Sequence, residues 1–312
     1  MSKFENLFIC VTPLQIVIAK RIIEEKQLLN VCFIVLFYND NPKYRFYINS
    51  LKTENYSTIE YLVNSQKKFD RLIEIFKLKI FLNKINLSTE NIYLASIENS
   101  LIHTILSKIN FQNLVTFDDG LANLYYQGQY YVDQESRLQK ILKKILYISW
   151  SMVKIKQVSQ NHYTIYTNHK NIINQTSYLS LFQPLQHCST LPKLKIYIGQ
   201  PLEEINPYFN KEFIEKCLQK LKIDSYLPHP REVIKYDNIH YINTEKILED
   251  FYLEYMDKFN IQFYTFLSSS VLNIKMINPY CEIFILYDHY TIEKYSSIYD
   301  IFKKEKLSLI CI

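Results

Sequence analysis

"NLFICVT" (6–12) runs straight into "PLQIVIAKRIIEEK" (13–26), and this junction decides the fold. The first stretch centres on an unbroken apolar run of strand length. The second carries apolar residues at helical spacing. Proline at 13 suits a first helical position, where its missing N–H would go unpaired anyway. "VCFIVLFY" (31–38) then reads as a second buried strand. Strand, helix and strand in this order imply a parallel sheet flanked by helices.

The same rhythm continues outward. "FDRLIEIFKLKIFL" (69–82) is amphipathic and reads as a helix, "NIYLAS" (91–96) as a strand, and "ENSLIHTILSKI" (98–109) as a helix. "NLVTF" (113–117) is a strand that runs into "DDG". "LQKILKKILYISWSMVKIKQV" (138–158) reads as one basic amphipathic helix holding the only tryptophan, Trp150. Such a helix either packs on its own domain or a second subunit, or lies on an anionic membrane. "FQPLQHCSTLPK" (182–193), with two prolines, reads as a linker.

Beyond the linker the alternation restarts. The strands are "LKIYIG" (194–199), "IHYI" (239–242), "QFYTFLSSS" (262–270) and "CEIFILY" (281–287). The helices are "FNKEFIEKCLQKLK" (209–222) and "TEKILEDFYLEYMDKF" (244–259), the latter with Thr244 as N-cap. The expectation is two Rossmann-like α/β domains, 1–187 and 188–312, with their sites at strand C-terminal ends.

Bulk composition narrows the chemistry. The 312 residues include only three glycines, at 120, 128 and 199. Neither a GxGxxG turn nor a P-loop can be built from them. A phosphate must then be met by helix N-termini, hydroxyls, His or Arg. A net charge of +5, spread along the chain, gives no nucleic-acid footprint. Six cysteines without metal spacing, no signal-peptide pattern and no apolar run of spanning length point to a reduced, cytoplasmic protein.

Four stretches at strand ends carry polar chemistry. In "FDDG" (117–120) the paired acids can be base, metal ligand or turn. In "GQPLEE" (199–204) the backbone can bend sharply before Glu203 and Glu204. In "YLPHPRE" (226–232) Pro230 suits a first helical turn, which makes His229 an N-cap-like residue able to give a proton to an anion or to bind it. In "SSS" (268–270) the hydroxyls are phosphate ligands or caps. There is no GxSxG elbow and no HExxH spacing, so neither a serine hydrolase nor a metal site is expected.

These stretches, in this order, resemble bacterial lipooligosaccharide sialyltransferases, grouped as glycosyltransferase family 52. The resemblance rests on "FICVTPLQIVIAKRI" (8–22), "NIYLASIE" (91–98), "TFDDGLANL" (116–124), "HYTIY" (162–166), "GQP" (199–201), "PHPR" (228–231) and "FYTFLSSS" (263–270). It implies a GT-B architecture whose two domains face across a cleft. It implies inverting, metal-independent transfer of N-acetylneuraminic acid from CMP-Neu5Ac to a terminal galactoside, α-2,3 by family habit. No cofactor is expected beyond the donor substrate.

The resemblance also implies roles. A carboxylate takes the acceptor proton, and His229 neutralises or protonates the departing phosphate. Ser268, Ser269 and Ser270 lie near that phosphate. Leu248 and Glu249 contact the nucleotide, and Pro228, Pro230 and Arg231 flank it. Thr12, Pro13, Gln15, Asp118, Gly120, Gly199 and Gln200 are the remaining substrate-binding candidates in these motifs. The family places an aspartate after G-x-P where this chain has Leu202. The base therefore stays open among Glu203, Glu204 and Asp119, with a related D-D-G family favouring Asp119. Some relatives carry a membrane-anchoring segment. This sequence opens at the first strand, so any membrane contact is expected to be peripheral, through 138–158. Family members can be dimers, so a homodimer is one expected partner. Two other readings compete: transfer of another sugar on the same scaffold, and a non-catalytic glycan- or nucleotide-binding protein.

Overall fold

A computed structural model describes residues 2–64, 70–132, 135–167, 169–182 and 191–312. The chain forms two compact units, Met1–Leu181 and Phe182–Ile312. The expected linker at 182–193, and with it the boundary between 187 and 188, falls largely on 183–190, outside the described residues.

The first unit opens with β1 (Ser2–Cys10), α1 (Pro13–Lys26), β2 (Val31–Phe37), α2 (Pro42–Thr53) and β3 (Ser57–Leu62). Next come α3 (Asp70–Ile85), β4 (Leu87–Leu94), α4 (Ser100–Leu106) and β5 (Asn113–Phe117). It closes with α5 (Arg137–Ile145), α6 (Met152–Val158), β6 (His162–Thr164) and β7 (Thr176–Tyr178). The seven strands pair in parallel in the order β3-β2-β1-β4-β5-β6-β7. The order reverses direction between β1 and β4, and a crevice opens outside the strand ends at such a switch point.

The second unit holds β8 (Lys193–Ile198), α7 (Lys211–Leu221), β9 (Ser225–Leu227), β10 (His240–Tyr241) and α8 (Leu248–Tyr255). After these come β11 (Asn260–Thr265), α9 (Ser270–Ile277), β12 (Glu282–Tyr287), α10 (His289–Lys294), α11 (Ser296–Lys304) and β13 (Ser308–Cys311). Its six parallel strands run β10-β9-β8-β11-β12-β13, with the switch between β8 and β11.

The central strands are apolar because both sheet faces are covered. Every residue of β2 is buried. Phe8 of β1 is fully buried, 4.4 Å from the Tyr93 ring centroid and 5.5 Å from that of Phe33. The second core is aromatic too, built on Tyr197, Tyr226, Phe209 and Phe266.

Three expectations need correction. Residues 138–158 form two helices, not one. Tyr147 turns left-handed at φ 50°, and Ser151 caps α6 by accepting from the Lys154 N–H. Trp150, in the break, packs 5.5 Å from Phe111. Thr244 is not the N-cap of α8. Its hydroxyl accepts from Lys246 N–H in a local turn, and the helix starts only at Leu248. No helix follows "PHPRE". Residues 230 and 231 form a turn, closed by the Glu232 N–H donating to the His229 carbonyl at 2.9 Å, and the chain runs on without helical bonds. Among the described residues no helix is long and apolar enough to cross a membrane.

Phe8→Ala removes a ring packed between two others in a closed core. Cavities of this kind cost about 3–5 kcal/mol. The urea midpoint should drop accordingly, with the slope unchanged, when unfolding is followed by circular dichroism.

Candidate active site

In the first unit the ends of β1, β4 and β5 converge. Asp118 and Asp119 leave β5 in opposite roles. Asp118 is wholly buried. Its Oδ1 accepts from His162 Nε2 at 2.8 Å and Asn171 Nδ2 at 3.0 Å. Its Oδ2 accepts from Thr164 Oγ1 at 2.8 Å and the Ile165 N–H at 2.7 Å. A buried carboxylate is tolerable only when donors surround it. With all four lone-pair positions used, Asp118 has none left for a substrate. These bonds make Asp118, one of the expected substrate-binding residues, an anchor between β5 and β6.

Asp119 faces the crevice. Gln15 Nε2 donates to its Oδ1 at 2.6 Å, and Ser96 Oγ (2.9 Å) and Tyr130 OH (2.6 Å) donate to its Oδ2. Gly120, at φ +63°, makes the left-handed turn that holds Asp119 at the tip. Gln15 is fully buried; it also donates to Ser96 Oγ at 2.8 Å and accepts from the Val11 N–H at 2.6 Å. It positions Asp119 and is not exposed to a ligand. Thr12 caps α1 and lines the crevice, while Pro13 is buried at the helix start.

The crevice is a cavity of about 620 Å³ whose polar lining includes Thr12, Tyr38, Arg71, Ser96, Glu98 and Asp119. That volume falls within the range of small-molecule sites, roughly 300–1,000 Å³. Glu98 has no role in the sequence reading, although it closes the "NIYLASIE" motif. Its Oε2 is shielded from solvent and has no hydrogen-bond partner. Burial, reinforced by the charge of Asp119, pushes its carboxyl up to about 7. An acid two residues beyond the predicted strand "NIYLAS" was the available signal. Tyr130, which serves Asp119 from outside every motif, left none.

In the second unit the ends of β8, β9 and β11 converge in the same way. Gln200 Oε1 accepts from Thr265 Oγ1 at 3.1 Å and the Leu267 N–H at 2.8 Å, tying β8 to β11. Glu232 is the organiser that the sequence reading quoted but did not assign. Its Oε2 accepts from the His229 N–H at 2.7 Å, and its Oε1 from Tyr226 OH. Burial pushes its carboxyl up, against the pull of these donors. Gly199 leaves room for these two side chains: a Cβ there would meet Glu232 Oε2 and sit 2.7 Å from Tyr226 OH, so their ends would have to shift.

His229 Nδ1 accepts from the Arg231 N–H at 3.1 Å, which leaves Nε2 as the ring nitrogen to carry a proton. His229 and Pro228 are half-buried, and Pro230 is exposed. Arg231 Nη1 pairs with Glu204 Oε2 at 3.2 Å on the surface. Glu203 differs: its Oε2 is shielded and without a partner. Ser268 and Ser270 hydroxyls meet at 2.8 Å, and Ser269 makes no side-chain cap at the start of α9. Leu248 and Glu249 are buried, Glu249 Oε1 accepting from Asn273 Nδ2 at 2.5 Å. Among the described residues no three His, Cys, Asp or Glu side chains converge as metal ligands would.

The folded chain holds the Glu98 proton more tightly than an unfolded chain with its ordinary value of 4.5. Between pH 4.5 and 7 the folded state thus binds more protons, and stability falls as pH rises. Above about pH 7 the cost of the buried charge is complete, about 3 kcal/mol at most. Glu98→Gln should accordingly melt above wild type at pH 8, the gap closing toward pH 4.5 in thermal scans.

Comparison with known proteins agrees with this architecture. A model of glycosyltransferase family 52 matches residues 30–288. A CMP-N-acetylneuraminate:beta-galactoside alpha-2,3-sialyltransferase of Pasteurella multocida is 30% identical over 308 residues, covering 98% of each chain. An N-acetyllactosaminide alpha-2,3-sialyltransferase of Haemophilus influenzae is 30% identical over 284 residues, covering 89% of this chain and 90% of that one. A solved structure described as a UDP-N-acetylglucosamine 2-epimerase from Listeria monocytogenes shares the fold at TM-score 0.52, with 10% identity over 98% of this chain and 90% of that one. The two parallel sheets are thus of GT-B type, and the chain belongs to glycosyltransferase family 52.

Proposed function

We propose that the protein transfers N-acetylneuraminic acid from CMP-Neu5Ac to a terminal galactoside, forming an α-2,3 link. The observation that carries this reading is the match over 98% of both chains to an enzyme of that name. The surrounding geometry suits it. The acceptor hydroxyl attacks the anomeric carbon of the sialyl group as the bond to the CMP phosphate breaks. Asp119 takes the hydroxyl proton. Asp119 borders the cavity of the first unit, Glu203 Oε2 is shielded, and Glu204 is exposed and paired with Arg231. His229 Nε2 gives its proton to the departing phosphate oxygen. Ser268, Ser269 and Ser270, uncommitted as caps, serve the phosphate at the start of α9. The transfer needs no metal in this reading.

The glycan acceptor class is a surface lipooligosaccharide or a similar chain. A peripheral seat at the inner face of the cytoplasmic membrane goes with it. Leu138, Ile141 and Ile145 of α5 support this seat, since they line one helix face at 56–66% exposure beside Lys140 and Lys144.

CMP release from CMP-Neu5Ac, with and without lactose and in EDTA, tests the chemistry. Wild type should release CMP only with lactose. His229→Ala and Asp119→Asn should each lose roughly 10²–10⁴-fold, and Glu204→Gln much less. Release only from a UDP-sugar would replace the donor, and loss in EDTA would restore a metal. Flotation with anionic vesicles tests the seat: wild type should float and the combined Leu138→Ser, Ile141→Ser, Ile145→Ser variant should not. Wild type left in solution as a dimer would instead give this face to a second copy.

A further inference from the structure

We propose that Glu98 reads the acceptor, its carboxylate accepting a sugar hydroxyl other than the one that attacks. The inference rests on the galactoside reading above. Three observations carry it.

The first is supply. An ionised carboxylate offers about four lone-pair sites. Asp119 spends three of them on Gln15, Ser96 and Tyr130. What remains serves the attacking hydroxyl alone. A neighbouring hydroxyl of the same sugar needs another acceptor, and Glu98 lines the same cavity. Tyr130 interacts with both acids, which places them at one end of it.

The second is rigidity. Glu98 sits between two pinned residues. The Ile97 carbonyl oxygen meets His103 Nε2 at 2.8 Å. Asn99 caps α4 by accepting from the Leu101 N–H at 2.9 Å, and it donates to Tyr38 OH at 2.9 Å. Sites built on fixed backbone hold their groups to the tolerance that recognition requires.

The third is the orphan atom. Glu98 Oε2 makes no hydrogen bond, Tyr130 is the donor beside the group, and buried polar atoms in native proteins are normally satisfied. The half-buried carboxyl as a whole lines the cavity with acceptor capacity unused, and a ligand hydroxyl there supplies a further donor. A site built this way also rejects a sugar lacking that hydroxyl, because the acid is then left unpaired.

The groups facing Glu98 are Asp119, Tyr130, Arg71 and Tyr38. Its proton leaves as pH rises through about 7, and the ionised form is the stronger acceptor. Acceptor KM should therefore fall across that range.

The experiment measures kcat and KM of wild type, Glu98→Gln and Glu98→Ala for methyl β-galactoside and its monodeoxy analogues, with CMP-Neu5Ac as donor, from pH 6 to 8. Loss of a hydrogen bond to a charged group is about 10- to 100-fold. Both variants should raise acceptor KM by that factor, leave donor KM alone, flatten its pH dependence, and no longer distinguish the one deoxy sugar that wild type rejects. Wild-type turnover of galactosides with Glu98 variants showing the same deoxy preferences would overturn the role of Glu98 alone. A folded wild type that turns over no galactoside would overturn the transferase reading and the inference together. Thermal melting of both variants at or above wild type at pH 8 separates the effect from misfolding.

Discussion

Asp118 is a charge-bearing group placed where water cannot reach. Everything around the first site follows from satisfying it. His162, Thr164, Ile165 and Asn171 must all lie where their donors meet its two oxygens. That requirement fixes β6 beside β5 and brings in the loop carrying Asn171. It also leaves Asp119, the next residue, no choice of direction. Asn123 completes the arrangement by accepting from the Asp119 N–H at 2.6 Å. One aspartate is thus spent on structure so that its neighbour can be held at the lip of a cavity. The cost of burial is met by hydrogen bonds from groups that the sheet already contains.

The second unit solves a similar problem differently. There the buried acid, Glu232, lies in a loop rather than at a strand end, and its donors include the backbone of the residue it serves. Burial and a neighbouring acid push its carboxyl up, and Tyr226 shares its proton with it. The loop holds its shape without regular secondary structure. In both units a buried carboxylate satisfied by protein donors stands beside a residue proposed to act on substrate.

The strands legible from sequence were those buried on both faces, β1, β2, β4, β5, β8, β11 and β12. Their apolar runs leave no alternative. Short or edge strands such as β3, β6, β7 and β9 carry no such run, while "IHYI" marked β10, which is only two residues long. They exist because a neighbour offers a free ladder. Asp118, Asp119, Glu203 and Glu204 could be named because they fall just after predicted strands, and His229 because it stands between two prolines. Their partners could not. Gln15 reaches Asp119 from 104 residues away and Tyr130 from the irregular stretch 11 residues on, and no spacing rule predicts either. The helix expected after "PHPRE" is replaced by a single turn, in which the Glu232 N–H donates to the His229 carbonyl and no further helical bond follows. The helix expected across 138–158 failed because Ser151 is a better start signal than the apolar periodicity is a continuation signal.

Gly199 has one more consequence. The space a side chain would need there is already filled by the carboxylate of Glu232 and the hydroxyl of Tyr226. These residues come from different motifs, yet each sets the limit on the others. A methyl group at 199 displaces the end of Glu232, and displacing that carboxylate releases the backbone of His229. Divergence at any of these positions is therefore contingent on the order in which changes arrive. The two motifs should be inherited as one block, with compensating replacements appearing in pairs across descendants of this chain.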